Sequence, residues 1–113
     1  MILISSKVAK GMPDKHLVWC PGCDELHGLA VDSKERPSWT WNGDPDKPTY
    51  SPSLLVRGQT QCHSFIRDGQ WIFLNDCDHP LAGKTVPIPD LPDWIIDGIP
   101  RQQDFNTTNE RKD

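Results

Sequence analysis

Short runs of alternating apolar and polar residues recur along the chain, and they predict strands rather than helices. Such runs cover residues 2–4, 17–20, 26–31, 38–42 and 54–57, with turn-forming residues between them. The spacing of an amphipathic helix is not sustained anywhere over a dozen residues. The pattern therefore predicts a mainly β fold, a small single-domain antiparallel sheet.

The segment TQCHSFIRDGQWIFLNDC, residues 60–77, is typical of a β-hairpin. Its centre, Asp68-Gly69, suits a two-residue turn in which both central residues have positive φ. If Arg67 lies opposite Gln70, Cys62 and Cys77 share one face of the hairpin with several large apolar side chains. The other face then carries His63 and Asp76 together with Phe65, Ile72 and Leu74.

The last third of the chain contains little regular pattern. Residues 86–89 are expected to be extended, and residues 90–97 to form one or two helical turns before Gly98 and Pro100. From residue 101 the chain is polar. We expect one domain over residues 1–100 with a short C-terminal helical turn, followed by a flexible polar tail over residues 101–113.

Composition adds a reason to expect a stabilising cross-link. Only 35% of the residues are apolar, and eleven are proline, so the core is thin for a domain of this length.

The net charge is -4 and no run of basic residues forms a stripe, which makes nucleic acid an unlikely partner. No apolar stretch is long enough to cross a membrane. We expect a soluble, cytoplasmic protein, in which four cysteines indicate metal or redox chemistry before a disulfide framework.

The motif Cys20-Pro21-Gly22-Cys23 allows two interpretations. After tryptophan, it has the form of a thioredoxin active site, but that fold needs a long helix after the first cysteine, and the residues that follow do not predict one. The spacing is also that of a zinc knuckle, in which two thiolates approach one tetrahedral ion. The knuckle is favoured, and the fold is expected to contain a zinc-ribbon-like metal site.

A knuckle supplies two ligands, so zinc needs two more. Cys62 and Cys77 are diagonal neighbours in the predicted hairpin, with Cα atoms roughly 7–8 Å apart, a gap that one ion can span. Three histidines near the cysteines are alternative ligands: His27, His63 and His79. The sequence leaves open which of them complete the site, and each is also explained as a half-buried, hydrogen-bonded side chain.

The remaining histidine, His16, stands in a charged stretch and is expected to be solvated.

The other face of the hairpin offers a catalytic hypothesis. There His63 has Asp76 as its diagonal neighbour, and an aspartate that holds one imidazole nitrogen leaves the other free to act as a base. Ser53 precedes a strand expected to lie beside the hairpin and would complete a hydrolytic triad. In the simpler alternative, Ser53 caps a loop and Asp76 is solvated. An open zinc site with Glu25 as general base is a further option without diagnostic spacing.

The ordered motifs CPGC, HGL, WTWNGD, PTYSPSLLV, CHSFIRDGQWIFLNDCDH and LAGKTVPIPD resemble a family of small tailed-phage and prophage proteins. The similarity covers residues 17–92. Members often carry the mistaken label "ammonia monooxygenase", which belongs to a membrane enzyme complex. The resemblance implies a zinc-binding phage protein.

The PS and HSFIRDG segments are more distantly similar to a bacterial domain encoded beside ubiquitin-like conjugation genes, which implies a peptidase-like role. In that comparison Ser53 falls on the PS motif and His63 on the motif histidine. The related pattern has its cysteine earlier than Cys62, which directly precedes the histidine here.

Two functions follow as hypotheses. The first is a small zinc-binding phage or prophage accessory protein that acts as an interaction module with a host or phage protein partner. The alternative is a small peptidase-like hydrolase that uses His63 with Ser53 and Asp76. A nucleic-acid binder with tryptophan stacking platforms is disfavoured by the negative charge.

Overall fold

The computed structural model describes residues 1–11 and 13–98, which form two antiparallel sheets. In the first sheet the strands lie in sequence order, so each strand pairs with the strand that follows it in the chain. Its strands are β1 (Ile2–Leu3), β2 (Val8–Gly11), β3 (Lys15–Cys20) and β4 (Glu25–Ala30).

The second sheet also keeps the strands in sequence order. They are β5 (Thr40–Trp41), β6 (Tyr50–Arg57), β7 (Gln61–Arg67), β8 (Gln70–Phe73) and β9 (Thr85–Pro87). A parallel bridge between Val31 and Trp39 connects the end of the first sheet to the start of the second. One short helix, α1 (Asp93–Ile96), follows β9.

One hydrophobic core lies between the sheets. Alternating strand residues supply it, since β7 buries every second side chain. The largest fully buried side chain, Trp71, donates its indole N–H to the carbonyl of Trp19 across the sheets at 2.9 Å. A smaller cluster forms where α1 packs on the first sheet through Ile95 and Leu91, against Leu3 and Ala9.

The mainly β, antiparallel prediction is confirmed, and so are the hairpin and its register, with Arg67 opposite Gln70 and Phe65 opposite Ile72. Asp68 and Gly69 both have positive φ, as the turn requires. The helical turn within residues 90–97 is also present. No helix of the described residues is long and apolar enough to cross a membrane. The predicted end of the domain at residue 100 and the tail over residues 101–113 lie outside the described residues.

Three local predictions differ from the structure. The strands divide between two sheets instead of one, and β2 is a strand that the alternating pattern does not predict. The strand expected at Leu54 begins at Tyr50 and includes Pro52. The pairing of β6 with β7 shifts register between Tyr50 and Leu54, and proline is tolerated at such an irregularity because it lacks an N–H for the ladder.

The prediction that His16 is solvated is wrong. Its side chain is buried, and Nδ1 lies 2.7 Å from the Tyr50 hydroxyl. The ring also packs edge-on against Trp41 with centroids 4.7 Å apart. A residue of the second sheet thus supplies the polar partner that makes this burial favourable.

Candidate functional site

The CxxC motif forms the turn that joins β3 to β4. Cys20 ends β3, and its carbonyl accepts the backbone N–H of Asp24 at 2.8 Å. Asp24 has a φ of 56°, which reverses the chain into β4. The backbone N–H of Cys23 points at the Cys20 sulfur at 3.3 Å. Both thiols of the motif are therefore presented on the inner side of one tight turn.

Two further donors meet this turn from neighbouring strands. Ligand atoms of Cys20, Cys23, His27 and Cys62 all lie within 4.8 Å of one another. His27 lies on β4 opposite Val18, and Cys62 lies on β7 in the second sheet. The group is therefore positioned to bind a metal ion and connects the two sheets.

The thiols of this group are free, and two of them share a hydrogen bond. The Sγ atoms of Cys20 and Cys62 are 3.8 Å apart, far beyond a disulfide bond of about 2.05 Å. The hydrogen bond from Cys62 lowers the pKa of the Cys20 thiol, and the same contact raises the pKa of Cys62. Both sulfurs are reduced and become metal ligands once they lose their protons.

The imidazole of His27 provides independent support for a metal. The residue is 3% exposed, and Nε2 is buried without a hydrogen-bond partner. Nδ1 lies 3.8 Å from the carboxylate of Glu25, beyond hydrogen-bond distance. A buried nitrogen without a partner costs about 1–3 kcal/mol, and coordination to a metal removes that cost. The donor set of three sulfurs and one nitrogen fits a metal centre of the tetrahedral type.

Cys77 and His79 form a second group with Cys62, whose ligand atoms also lie within 4.8 Å of one another. The sulfur of Cys77 contacts the backbone of His63. It accepts a hydrogen bond from the N–H at 3.3 Å and donates one to the carbonyl at 3.1 Å. His79 accepts the N–H of Leu81 at Nδ1, and its Nε2 is buried without a partner. The structure thus groups the CxxC pair with Cys62 and His27, while Cys77 lies beside them.

The outer face of the second sheet brings Ser53, His63 and Asp76 together. The Ser53 hydroxyl lies 3.4 Å from Nε2 of His63, and Nδ1 of His63 lies 3.1 Å from Oδ2 of Asp76. With the proton on Nδ1, that nitrogen donates to the aspartate and Nε2 accepts the serine O–H. The first distance exceeds the 2.6–3.2 Å or so of a tight nucleophile–base contact, as is common without substrate. The order of atoms is that of a Ser-His-Asp triad.

The metal-binding group and the triad meet on one strand. Cys62 and His63 are consecutive residues of β7, so their side chains point to opposite faces of the sheet. Cys62 is fully buried and the His63 side chain is 29% exposed. His63 belongs to neither metal-binding group among the described residues. Its two ring nitrogens are directed at Ser53 and Asp76 instead.

Two residues that sequence reasoning missed hold the triad in place. The side-chain amide of Gln61 donates to the backbone carbonyl of Asp76 at 3.1 Å and to its Oδ2 at 3.3 Å. The indole N–H of Trp39 donates to the carbonyl of Ser53 at 3.3 Å. Gln61 shares a strand face with His63, which is a usable sequence signal. The Trp39 contact depends on how the two sheets join and leaves no local signal.

Comparison with known families gives one result. The family model for the bacterial ubiquitination-like system serine protease (BubE) matches residues 2–74. The matched segment includes Ser53, His63 and the group of Cys20, Cys23, His27 and Cys62, whereas Asp76 falls just after it. No curated protein and no solved structure matches the chain.

Proposed function

The chain belongs to the family of bacterial ubiquitination-like system serine proteases (BubE), and on that premise we propose that it is a serine hydrolase with Ser53 as nucleophile. His63 is the general base and Asp76 orients it. The substrate class is a peptide bond, because the family is described as one of serine proteases. The observation that supports the proposal is the continuous path of contacts from Ser53 through His63 to Asp76.

The chemistry follows from those contacts. Oγ of Ser53 attacks the acyl carbon while Nε2 of His63 takes the hydroxyl proton, and Asp76 stabilises the imidazolium through Nδ1. His63 then gives that proton to the leaving group, which leaves an acyl-serine. Water, deprotonated by His63, attacks the acyl-serine, releases the acid and returns Ser53 to its starting form.

We propose zinc as the ion of the Cys20, Cys23, His27 and Cys62 group. Two sulfurs at about 2.3 Å from a tetrahedral zinc ion lie about 3.8 Å apart, which is the separation of the Cys20 and Cys62 sulfurs. Four protein donors fill a tetrahedral shell, so the ion is structural and takes no part in the hydrolysis. This favours the serine over a zinc-bound water with Glu25 as base.

The interpretation of Cys77 follows from its hydrogen bonds. The Cys77 sulfur contacts the N–H and the carbonyl of His63 and lies outside the four-donor group. We therefore propose His27 as the fourth ligand in place of Cys77. His79 lies beside the site, outside the four-donor group, with its ring edge-on to Phe73 at a centroid distance of 4.6 Å.

The function is tested by labelling with a fluorophosphonate, which reacts with activated serines, and by hydrolysis of p-nitrophenyl acetate. We expect the label on Ser53, and we expect Ser53→Ala or His63→Ala to abolish both reactions. Ser51→Ala is the matched control, because Ser51 is exposed on the same strand and outside the triad. Full hydrolysis by a folded Ser53→Ala protein would reject the serine mechanism.

The role of phage accessory protein with a host or phage partner remains a prediction, as does a cytoplasmic location.

A further inference from the structure

The strand that carries Ser53 has an edge that is only partly paired. On one side β6 pairs with β7 from Leu54 to Arg57. On its other side β5 pairs only with Tyr50 and Ser51. Across the described residues, no other strand adjoins β6. The edge beyond Ser51 is therefore left without a strand partner.

The backbone of Leu55 points toward this edge. Leu55 lies directly opposite His63 in the antiparallel pair. The N–H and C=O of His63 are directed away from β6, because they contact the Cys77 sulfur and the N–H of Leu74. Residues opposite each other alternate between bonded and non-bonded pairs, so Leu55 and His63 form a non-bonded pair. The N–H and C=O of Leu55 consequently face outward.

Outside this edge lies an open groove of about 870 Å³. Leu54, Leu55 and Val56 line one wall, and Gly28 and Ala30 of β4 contribute to the other. The volume is within the 300–1,000 Å³ or so of ligand sites. The first sheet thus stands away from β6 here and leaves room beside its free backbone groups.

The groove begins next to the nucleophile. Trp39 lines it and donates its indole N–H to the carbonyl of Ser53. The Ser53 carbonyl therefore already has a hydrogen-bond donor. The next residue of β6 whose N–H and C=O face outward is Leu55, and these groups have no strand partner. The Leu55 side chain is 44% exposed, on the same sheet face as the hydroxyl of Ser53.

The charges around the groove balance. Its lining contains three acidic and three basic side chains: Asp14, Asp32, Glu35, Lys15, Lys34 and Arg36. A groove with this balance does not select a strongly charged ligand. Outward-facing amides and carbonyls on a strand instead match an extended polypeptide backbone, which adds to a free sheet edge as a further strand.

We propose that this groove binds the substrate as an extended polypeptide segment that pairs with the backbone of Leu55 and so delivers the scissile acyl group to Ser53. The proposal rests on the serine hydrolase function and adds the form in which the substrate is held. Main-chain hydrogen bonds supply affinity, and the exposed Leu55 side chain contacts the substrate on the triad face.

The kinetic test compares two probes on the same proteins: a pool of fluorogenic octapeptides with randomised residues, and p-nitrophenyl acetate, which is too small to span the groove. Leu55→Pro removes the outward N–H, and proline is tolerated at strand edges. The ratio of peptide to ester turnover should fall about tenfold in Leu55→Pro. Leu55→Ala keeps the N–H and should retain most of the ratio. An unchanged ratio in Leu55→Pro would overturn the proposal.

A binding experiment tests strand addition at Leu55 independently of catalysis by Ser53. In Ser53→Ala protein, hydrogen exchange of the Leu55 amide is followed by NMR with and without the same octapeptide pool. Slower exchange at Leu55, with little change at the Val56 amide, supports strand addition even if neither probe is hydrolysed. Unchanged exchange at saturating peptide rejects it, even if the ester is hydrolysed through Ser53.

Discussion

A single sulfur atom holds the backbone of His63: Cys77 Sγ accepts its N–H at 3.3 Å and lies 3.1 Å from its carbonyl oxygen. The ring of the same residue contacts Ser53 and Asp76 on the opposite side of the sheet. Cys77 is therefore a positioning residue for the proposed base.

That role distinguishes Cys77 from the other cysteines in a metal experiment. Cys77→Ser should retain one equivalent of zinc, because its sulfur lies outside the four-donor group, and its hydrolytic turnover should fall severalfold. Cys23→Ser should lose zinc and unfold, because bound zinc contributes about 10–16 kcal/mol, against about 5–15 kcal/mol of net stability for a domain. Elemental analysis and circular dichroism measure both effects. Loss of zinc from both Cys77→Ser and Cys23→Ser would restore the four-cysteine site predicted from the sequence.

Asp76→Asn should abolish most of the activity and leave the fold intact. The amide cannot hold the Nδ1 proton as the carboxylate does, and the equivalent change in a Ser-His-Asp triad lowers kcat by about 10⁴-fold. The Asp76 side chain is 51% exposed, so little packing is lost. The measurement is kcat with p-nitrophenyl acetate together with the melting temperature. Asp97→Asn, at the exposed end of α1, is the control that should keep wild-type kcat, and equal kcat in both variants would contradict the triad.

Gly22→Ala should destabilise the domain strongly. A Cβ atom at Gly22 would overlap the buried His79 ring, so the ring or the CxxC turn must move. Overpacking of this kind costs about 1–3 kcal/mol. Denaturant unfolding measures the loss. Gly58→Ala is the matched control, because a Cβ there meets nothing within 4 Å, and equal stability of the two variants would show that the close approach is unimportant.

Stability should fall in mildly acidic solution in part because of His16. Burial, aided by the charge of Lys10, lowers the pKa of His16 below its usual value of 6.5. The unfolded chain therefore takes up the proton first. The contribution of neutral His16 is complete above pH 6.5 and is lost as pH falls toward the folded-state pKa, by about 1.4 kcal/mol for each unit of lowering.

Urea unfolding at about pH 7.5 and about pH 5.5, on either side of the unfolded pKa, measures this loss in the wild type and in His16→Gln. Protonation of the zinc ligands affects both proteins, so the difference between them isolates His16. The wild type should lose more stability than the variant. Identical losses would mean that His16 does not titrate with folding.

Local pattern was sufficient to predict the β7–β8 hairpin, because its turn and alternation are contained in one short segment. The proximity of His63 to Asp76 follows from the same register. The division into two sheets could not be derived, since it depends on contacts between segments far apart in the chain. The burial of His16 against Tyr50 is such a contact.

The metal-binding group shows the same limit. The CxxC turn and Cys62 have clear signals, but the choice between His27 and Cys77 depends on how β4 faces β7 across the core. The alternation that buries both His27 and Leu29 on β4 was available in the sequence and places His27 on the inner face. The Trp39 contact to Ser53 joins the two sheets, and no short-range pattern predicts it.

The direct succession of Cys62 and His63 on β7 links correct folding to activity. A slip of β7 by one residue against its neighbours would turn the cysteine outward and bury the histidine. Such a misaligned strand would lose a ligand of the proposed zinc site and the proposed base together. Zinc bound in the proposed site therefore selects the one alignment of β7 in which the base is exposed, so that a chain that retains its metal also has its base in place.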